Sequence, residues 1–469
     1  MHSMSEGMGG WKERIVAVLV LTLATALAAS LAGLEYIKVV ALTVFLMKTY
    51  ATLLLWTHRV SFALLGLFAL LAFGVLDVKT AIEFAHLDVI LFLIAIMIFV
   101  SYLEERGFFE FIAWKTISYF RLSFRALFLV VMLLSAFLAA LVDEVTSILI
   151  MASLVFKISD LLGISPFPMI LASVFATNIG SSITVVGNPV GVLLAFSAGL
   201  SFMEFLRWAT PISLMAVLLV SWILTHQFRG YIEEGQEALL KSLKRWTGEE
   251  RRPPKGLLVD GLLFTVVLVL LAMHHPLEEM LGLGKNTLLL AVPMLASGLI
   301  LVLDPEKGFR AFEHRVEWKT LVFFLLLFAS IGTLEYVGLV TDFASAILLT
   351  AGDSLESVLL LLSPLASIMS AALDNVLAVA ILVPVVYELG KAGVPTYPLW
   401  WAMLFVGCYA ANLTPVGSTA NIVAAGLLER RGFRLSILEW VKKSLPATIA
   451  PLVLALLLVY LQVPLMPSH

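Results

Sequence analysis

Long apolar runs alternate with short polar breaks along almost the whole chain, and most of the runs are long enough to cross a bilayer. A spanning helix needs about 20 mostly apolar residues. By that ruler eleven segments qualify, at residues 14–33, 37–57, 60–77, 87–103, 167–198, 210–227, 256–274, 286–303, 318–334, 396–427 and 443–463. Two further apolar stretches, 126–158 and 356–389, are interrupted in the middle by Asp143-Glu144 and Asp374-Asn375. Both read as re-entrant helical hairpins that enter and leave by the same side. Segments 167–198 and 396–427 are too long for one plain helix. Each carries a polar break containing Gly and Pro near its centre, so each reads as two half-helices joined by unwound chain.

The pattern also repeats. Leu103-Glu104, Gly107, Ala140, Asp143 and Val145 recur as Leu334-Glu335, Gly338, Ala371, Asp374 and Val376, always 231 residues later. The threading puts five crossings between the copies, and an odd number turns the second copy upside down. Inverted repeats bring two hairpin tips together near the bilayer midplane. The expected organisation is an extra N-terminal helix in 1–35, a first inverted repeat over 36–227, a cytoplasmic linker over 228–255 and a second repeat over 256–469. Residues 108–121 and 339–350 are too short to span comfortably and are expected to be interfacial helices.

Composition narrows the class. Of 469 residues, 61% are hydrophobic and 13% charged, against about 25% charged in soluble proteins. The chain is therefore expected to be an all-α polytopic protein in contact with membrane lipid, with no nucleic-acid partner. The segment after Lys12 and Arg14 lacks a clear cleavage site and reads as a retained first helix. With the N-terminus in the cytoplasm, predicted inner loops hold 24 of the 30 Lys and Arg residues. That bias follows the positive-inside rule for a multi-pass cell-membrane protein. The single cysteine, Cys408, excludes an internal disulfide and is assigned to small-residue packing.

The candidate chemistry lies in four polar clusters. Asp143, Glu144 and Thr146 form one tip, and Asp374 and Asn375 the other. Each aspartate is positioned to cap the second arm of its hairpin. Ionisable groups at such depth are costly, so they are usually paired, hydrated or functional. The first break offers Asn178, Ser181, Thr184, Gly187 and Asn188. The second offers Asn412, Thr414, Gly417, Ser418, Thr419 and Asn421. Helix ends, hydroxyls and amides beside carboxylates suit a cation such as Na⁺ near Asp143 and Asp374, or a small hydroxylated solute. No Lys, Arg or His stands in either tip or break. A dianion would usually want an arginine there. If Asp143 and Glu144 share a confined site, one of them should hold a proton near neutral pH.

Elsewhere, Glu104 and Glu335 are expected to face headgroups and His274-His275 to form an interfacial pair, while Lys48 could snorkel or neutralise an acid. No nucleotide-binding loop, nucleophile–base pair or metal-ligand spacing is present. The sequence thus argues against an enzyme or an ATP-driven pump and implies no cofactor beyond a coupling ion, Na⁺ or H⁺.

Four motifs carry a family likeness: Ala-Leu-Val-Asp-Glu-Val-Thr at 140–146, Ala-Thr-Asn-Ile-Gly at 176–180, Leu-Asp-Asn-Val at 373–376 and Asn-Leu-Thr-Pro-Val-Gly-Ser-Thr-Ala-Asn at 412–421. Together they resemble the ion-transporter superfamily. That group includes arsenite permeases, a class of sodium/proton antiporters, the melanosomal P protein, and citrate and divalent-anion transporters. The resemblance implies scaffold and transport domains, often in a homodimer, working by an elevator motion. It makes Asp143, Thr146, Asp374 and Asn375 tip groups, and has Asn178, Gly187, Asn188, Asn412, Thr414, Gly417, Ser418 and Asn421 line the site.

Two departures fall in the first half. Glu144 stands where P-protein-like relatives commonly have Asn, and Pro189-Val190-Gly191 replaces a Pro-Pro-Asn run. The expectation is a secondary active permease for a small inorganic ion or solute, by arsenite/antimonite efflux or Na⁺/H⁺ exchange. An Na⁺- or H⁺-coupled citrate or dicarboxylate transporter is the alternative, and an ion channel is the option from another class. Arsenite permeases can also work with a separate ATPase subunit.

Overall fold

The computed structural model describes residues 2–119, 123–242, 253–433 and 436–467. Residues 243–252 of the expected linker lie outside them, as do Arg121 and Arg434 of the predicted inner charges. Every regular element among the described residues is a helix. Among the described residues, nine helices are long and apolar enough to cross a bilayer. A tenth span results if Leu257–Ala272 and His274–Leu281, which meet at a 61° bend, count as one.

The chain divides into two compact units. The first holds residues 1–91, 317–362 and 380–396. In it the N-terminal helix His2–Leu31 packs on Tyr36–Leu54, which packs in turn on Arg59–Ala72 and Trp318–Tyr336. Lys48 lies in the middle of this group and is 1% exposed. It neither snorkels nor meets a carboxylate; its ammonium donates to the Leu326 carbonyl at 3.3 Å. Gly66 leaves the room its stem needs, since an added Cβ would come within 3.0 Å of Lys48 Cε. Arg59 is buried against the Trp56 ring and donates to Thr320 Oγ1 at 2.9 Å.

Expected segment 60–77 is shorter than read. Its helix ends at Ala72 because the chain turns at Gly74, whose φ of +68° favours glycine. Glu335, at the end of Trp318–Tyr336, is exposed.

The second unit holds residues 92–316, 363–379 and 397–469. It contains the first hairpin, both helix breaks and the tip of the second hairpin. The arms Phe124–Val142 and Glu144–Leu162 have 19 residues each. At about 1.5 Å per residue each is near 28 Å long, longer than the apolar core 126–158 suggests. The first arm begins at Phe124, before that core, and the second runs past it to Leu162. The first arm packs on Phe167–Gly180 so closely that a Cβ on Gly180 would overlap the Ala136 backbone. Thr210–Gln227 and the long helix Ile437–Gln462 pack together and flank this group.

Helices occupy both stretches expected to be interfacial, Phe108–Tyr119 here and Leu339–Ala351 in the first unit. Glu104 is held at 3.6 Å by Arg315. Its neighbour Arg106 pairs with Asp260 at 2.6 Å, which keeps the guanidinium above its ordinary pKa.

Candidate ion-binding site

The first tip is a single residue wide. Val142 ends one arm, Glu144 begins the next, and Asp143 is the cap between them. Its Oδ1 accepts from Val145 N and Thr146 N at 2.8 Å each, and Thr146 Oγ1 donates to its Oδ2 at 2.8 Å. The turn forces Asp143 to φ +127°, ψ 164°. That region is almost reserved for glycine and costs about 1–3 kcal/mol. The carboxylate therefore occupies a position where glycine would be the easier choice. Glu144 follows it and is 3% exposed.

The first break meets this tip. Phe167–Gly180 ends, a short 3-10 turn spans Val185–Gly187, and Pro189–Ala198 begins with Asn188 as its cap. Thr184 Oγ1 donates to the Ala140 carbonyl at 2.5 Å, pinning the break to the end of the hairpin arm. Asn188 Oδ1 accepts from Val190 N at 2.6 Å, which fixes the amide orientation. Its Nδ2 then reaches Ser181 Oγ at 3.0 Å, Cys408 Sγ at 3.1 Å and Glu144 Oε2 at 3.5 Å. Gly187 is required here, because a Cβ would overlap the Ser181 carbonyl.

The second half repeats these contacts about 230 residues later. Thr414 Oγ1 donates to the Ala371 carbonyl at 2.5 Å. A Cβ on Gly417 would overlap the Ala411 carbonyl. Ser418 caps Thr419–Arg430, accepting from Asn421 N at 3.2 Å. The tip joins the break directly, through Asn375 N donating to the Gly417 carbonyl at 3.1 Å. Asp374 Oδ1 accepts from Val376 N at 3.0 Å.

The caps also cross between halves. Asn188 touches Cys408, and Ser418 Oγ lies 3.1 Å from Asn178 Oδ1. Asn188 and Ser418 are equivalent positions, and so are Asn178 and Cys408. Each break is thus completed by a residue from the other half. The thiol assigned to packing occupies a place where the other half has an amide. Shifting Asn178 by 230 residues, the spacing of Thr184 from Thr414 and Gly187 from Gly417 and one less than that of the tips, lands on Cys408.

Around Asn178 the amides form a closed network. Asn421 Nδ2 donates to the carbonyls of Ala411 and Thr414, both at 2.8 Å, so its Oδ1 faces Asn178. Asn178 Nδ2 donates to Asn421 Oδ1 at 2.7 Å and to Asn412 Oδ1 at 2.6 Å. Trp440 Nε1 donates to the Asn412 carbonyl at 2.9 Å. Asn178, Asn412, Ser418 and Asn421 are all fully buried. Buried polar networks rigidify a core when every member is satisfied. Thr419 is half-buried at the start of its half-helix, outside this network.

The profile of the family described as "Citrate transporter" matches residues 43–406 and 343–468. The chain belongs to the citrate transporter family. A 46 kDa membrane protein of Mycobacterium leprae is 32% identical over 373 residues, covering 78% of this chain and 84% of its own length. An uncharacterized transporter of Mycobacterium tuberculosis is 32% identical over 439 residues, covering 91% and 98%. The human P protein is 26% identical, covering 83% of this chain and 56% of its own length. The solved YdaH transporter of Alcanivorax borkumensis shares the fold, with a TM-score of 0.57 at 17% identity over 83% of this chain and 87% of that one. Family members of this kind are secondary transporters embedded in the membrane, within the ion-transporter group that the motifs resemble.

Proposed function

We propose that the chain is a secondary active permease that moves a small inorganic ion or solute by exchange or co-transport with Na⁺ or H⁺, with the coupling ion carried at the first tip. Glu144 carries this reading. It is 3% exposed and touches the Asn188 amide, and no basic residue stands in either tip or break. A carboxylate so placed favours a proton or a small cation. Asp143 holds its geometry from the neighbouring position. On these grounds Na⁺/H⁺ exchange is the leading reading. The paired contacts of the two halves support an inverted repeat, and the lysine and arginine bias supports a cytoplasmic N-terminus. The further expectation of an elevator motion in a homodimer rests on the family likeness.

Asn375 supports a second reading. Its Oδ1 accepts from Val376 N at 2.9 Å, so its Nδ2 is the free end, and that nitrogen is buried without an acceptor. A buried donor left unpaired costs about 1–3 kcal/mol. A solute bearing oxygen acceptors would satisfy it, either arsenite or the carboxylate of an organic anion.

Proteoliposomes holding a preset pH gradient test the two readings. Na⁺ or Li⁺ is expected to dissipate the gradient with saturation, and Glu144→Gln to abolish the response. Dissipation by arsenite or citrate, with none by Na⁺ or Li⁺, would transfer the lead to the second reading. Unitary currents through the reconstituted protein would favour a channel over both.

A further inference from the structure

Three buried hydroxyls meet against the first break, apart from the groups that face Glu144. Ser182 follows the end of Phe167–Gly180, Ser213 lies in the first turn of Thr210–Gln227, and Tyr409 in the last turn of Thr396–Ala410. All three are fully buried. Their oxygens form a triangle, with Ser182 Oγ 2.7 Å from Ser213 Oγ, Ser213 Oγ 3.3 Å from Tyr409 Oη and Tyr409 Oη 3.4 Å from Ser182 Oγ. Ser182 Oγ also lies 2.8 Å from the Ile179 carbonyl, which can only accept. The Ser182 proton therefore goes to Ile179, the Ser213 proton to Ser182 and the Tyr409 proton to Ser213. Ser213 thus joins the other two, donating to one and accepting from the other. Thr210, on the same helix, donates from Oγ1 to the Ile183 carbonyl at 2.8 Å, so this helix holds two successive residues of the break.

The chain neighbours of Ser182 and Tyr409 are Ser181 and Cys408, and both face Asn188. Asn188 Nδ2 reaches Ser181 Oγ at 3.0 Å, Cys408 Sγ at 3.1 Å and Glu144 Oε2 at 3.5 Å. The adjacent pairs Ser181-Ser182 and Cys408-Tyr409 thus each give one side chain to Asn188 and the other to the hydroxyl triangle. An amide nitrogen has two hydrogens to share among these three acceptors. The separation of Ser181 from Cys408 therefore decides how much of the amide reaches Glu144. The second half carries no copy of the triangle, since Ser182 is matched there by Asn412, and Tyr409 is matched in the first half by Ile179.

We propose that Ser213, with Ser182 and Tyr409, is a positioning clasp for the first-half site: it fixes Ser181 against Cys408 around Asn188 and thereby sets the affinity of Glu144 for the coupling ion. The proposal rests on the reading that the coupling ion binds at Glu144. The three hydroxyls act through Asn188, with no contact to the ion. Loss of the Ser213 oxygen parts Ser182 from Tyr409 and lets the two walls of the site drift.

The test uses the full chain, in which Cys408 is the single cysteine. A buried thiol reacts only when its surroundings open. The rate at which N-ethylmaleimide alkylates it in detergent micelles, read by intact mass, therefore reports on the clasp without any transport. Ser213→Ala is expected to label about fivefold faster than the parent, the equivalent of one hydrogen bond, and Tyr409→Phe faster by less. Thr225→Val, which removes a buried hydroxyl bonded to Ser221 within the same helix, should label at the parent rate. In proteoliposomes, Ser213→Ala should raise the half-saturating Na⁺ concentration by a similar factor at an unchanged maximal rate per folded protein. A merely structural loss would lower the maximal rate alone. Tyr409→Phe carries both arms if Ser213→Ala does not accumulate. Labelling at the parent rate in both variants, or faster labelling with half-saturating Na⁺ unmoved, would overturn the clasp. If the parent itself moves no protons with Na⁺, the proposed function fails, and the labelling rates still decide whether the clasp exists.

Discussion

Asp143 joins stability and chemistry in one residue. Its carboxylate caps the second arm of the first hairpin, yet its backbone sits at φ +127°. Replacing a capping Asp by Gly costs only a few tenths of a kcal/mol, and the strain it would relieve is about 1–3 kcal/mol. Asp143→Gly is therefore expected to raise the thermal unfolding temperature in detergent while abolishing ion-coupled transport. A lower unfolding temperature would show that the cap outweighs the strain. Asn178 is the opposite case, since its Nδ2 supplies two other amides. Asn178→Leu leaves Asn412 Oδ1 buried and without that donor, at about 1–3 kcal/mol, while Asn421 Oδ1 keeps the Ser418 hydroxyl at 3.0 Å. It should lose several degrees of unfolding temperature whatever substrate is present, and an unchanged value would mean that water replaces the lost donor.

At the scale of elements, the helix breaks are where sequence and structure agree most closely. Pro293, Pro364, Pro384, Pro446 and Pro451 stay inside helices, but Gly and Pro clustered with Asn, Ser and Thr mark unwinding, so the breaks after Gly180 and Ala410 were legible. Contacts across halves were not, because hydrophobic periodicity says which face is buried but not what lies against it. Cys408 beside Asn188 and Trp440 on the Asn412 carbonyl belong to that class. Helix ends set by a local turn were also misjudged, as at Gly74 and at the bend after Ala272. His274, expected at an interface, is fully buried, on a short helix that packs against Thr287–Leu303.

The matched contacts of the two breaks make a matched prediction. Thr184→Val and Thr414→Val each free one hairpin carbonyl and should each destabilise by roughly 1 kcal/mol. Gly187→Ala and Gly417→Ala, which push a Cβ into backbone, should each exceed that, at about 1–3 kcal/mol. Chemical unfolding of the four variants in one detergent would compare them, and a harmless glycine substitution in either half would contradict the close packing described.

For the whole molecule, the family establishes a membrane transporter, and the polar clusters are where the proposed function puts its selectivity. Asn178 of the first half shares a closed amide network with Asn412, Ser418 and Asn421 of the second, and Asn375 Nδ2 in the second half is buried without an acceptor. The first half holds a strained aspartate and a buried glutamate, and the Cys408 thiol of the second half completes its break. The proposed function implies a division of labour in which the coupling ion binds at the first tip and Asn375 meets the oxygen of any solute. The most direct test of that division is to impose an outward Na⁺ gradient on proteoliposomes and record lumenal pH for the parent chain, Glu144→Gln and Asn375→Ala. The account predicts Na⁺-driven proton movement in the parent and in Asn375→Ala, and none in a folded Glu144→Gln. Undiminished proton movement in Glu144→Gln would contradict it.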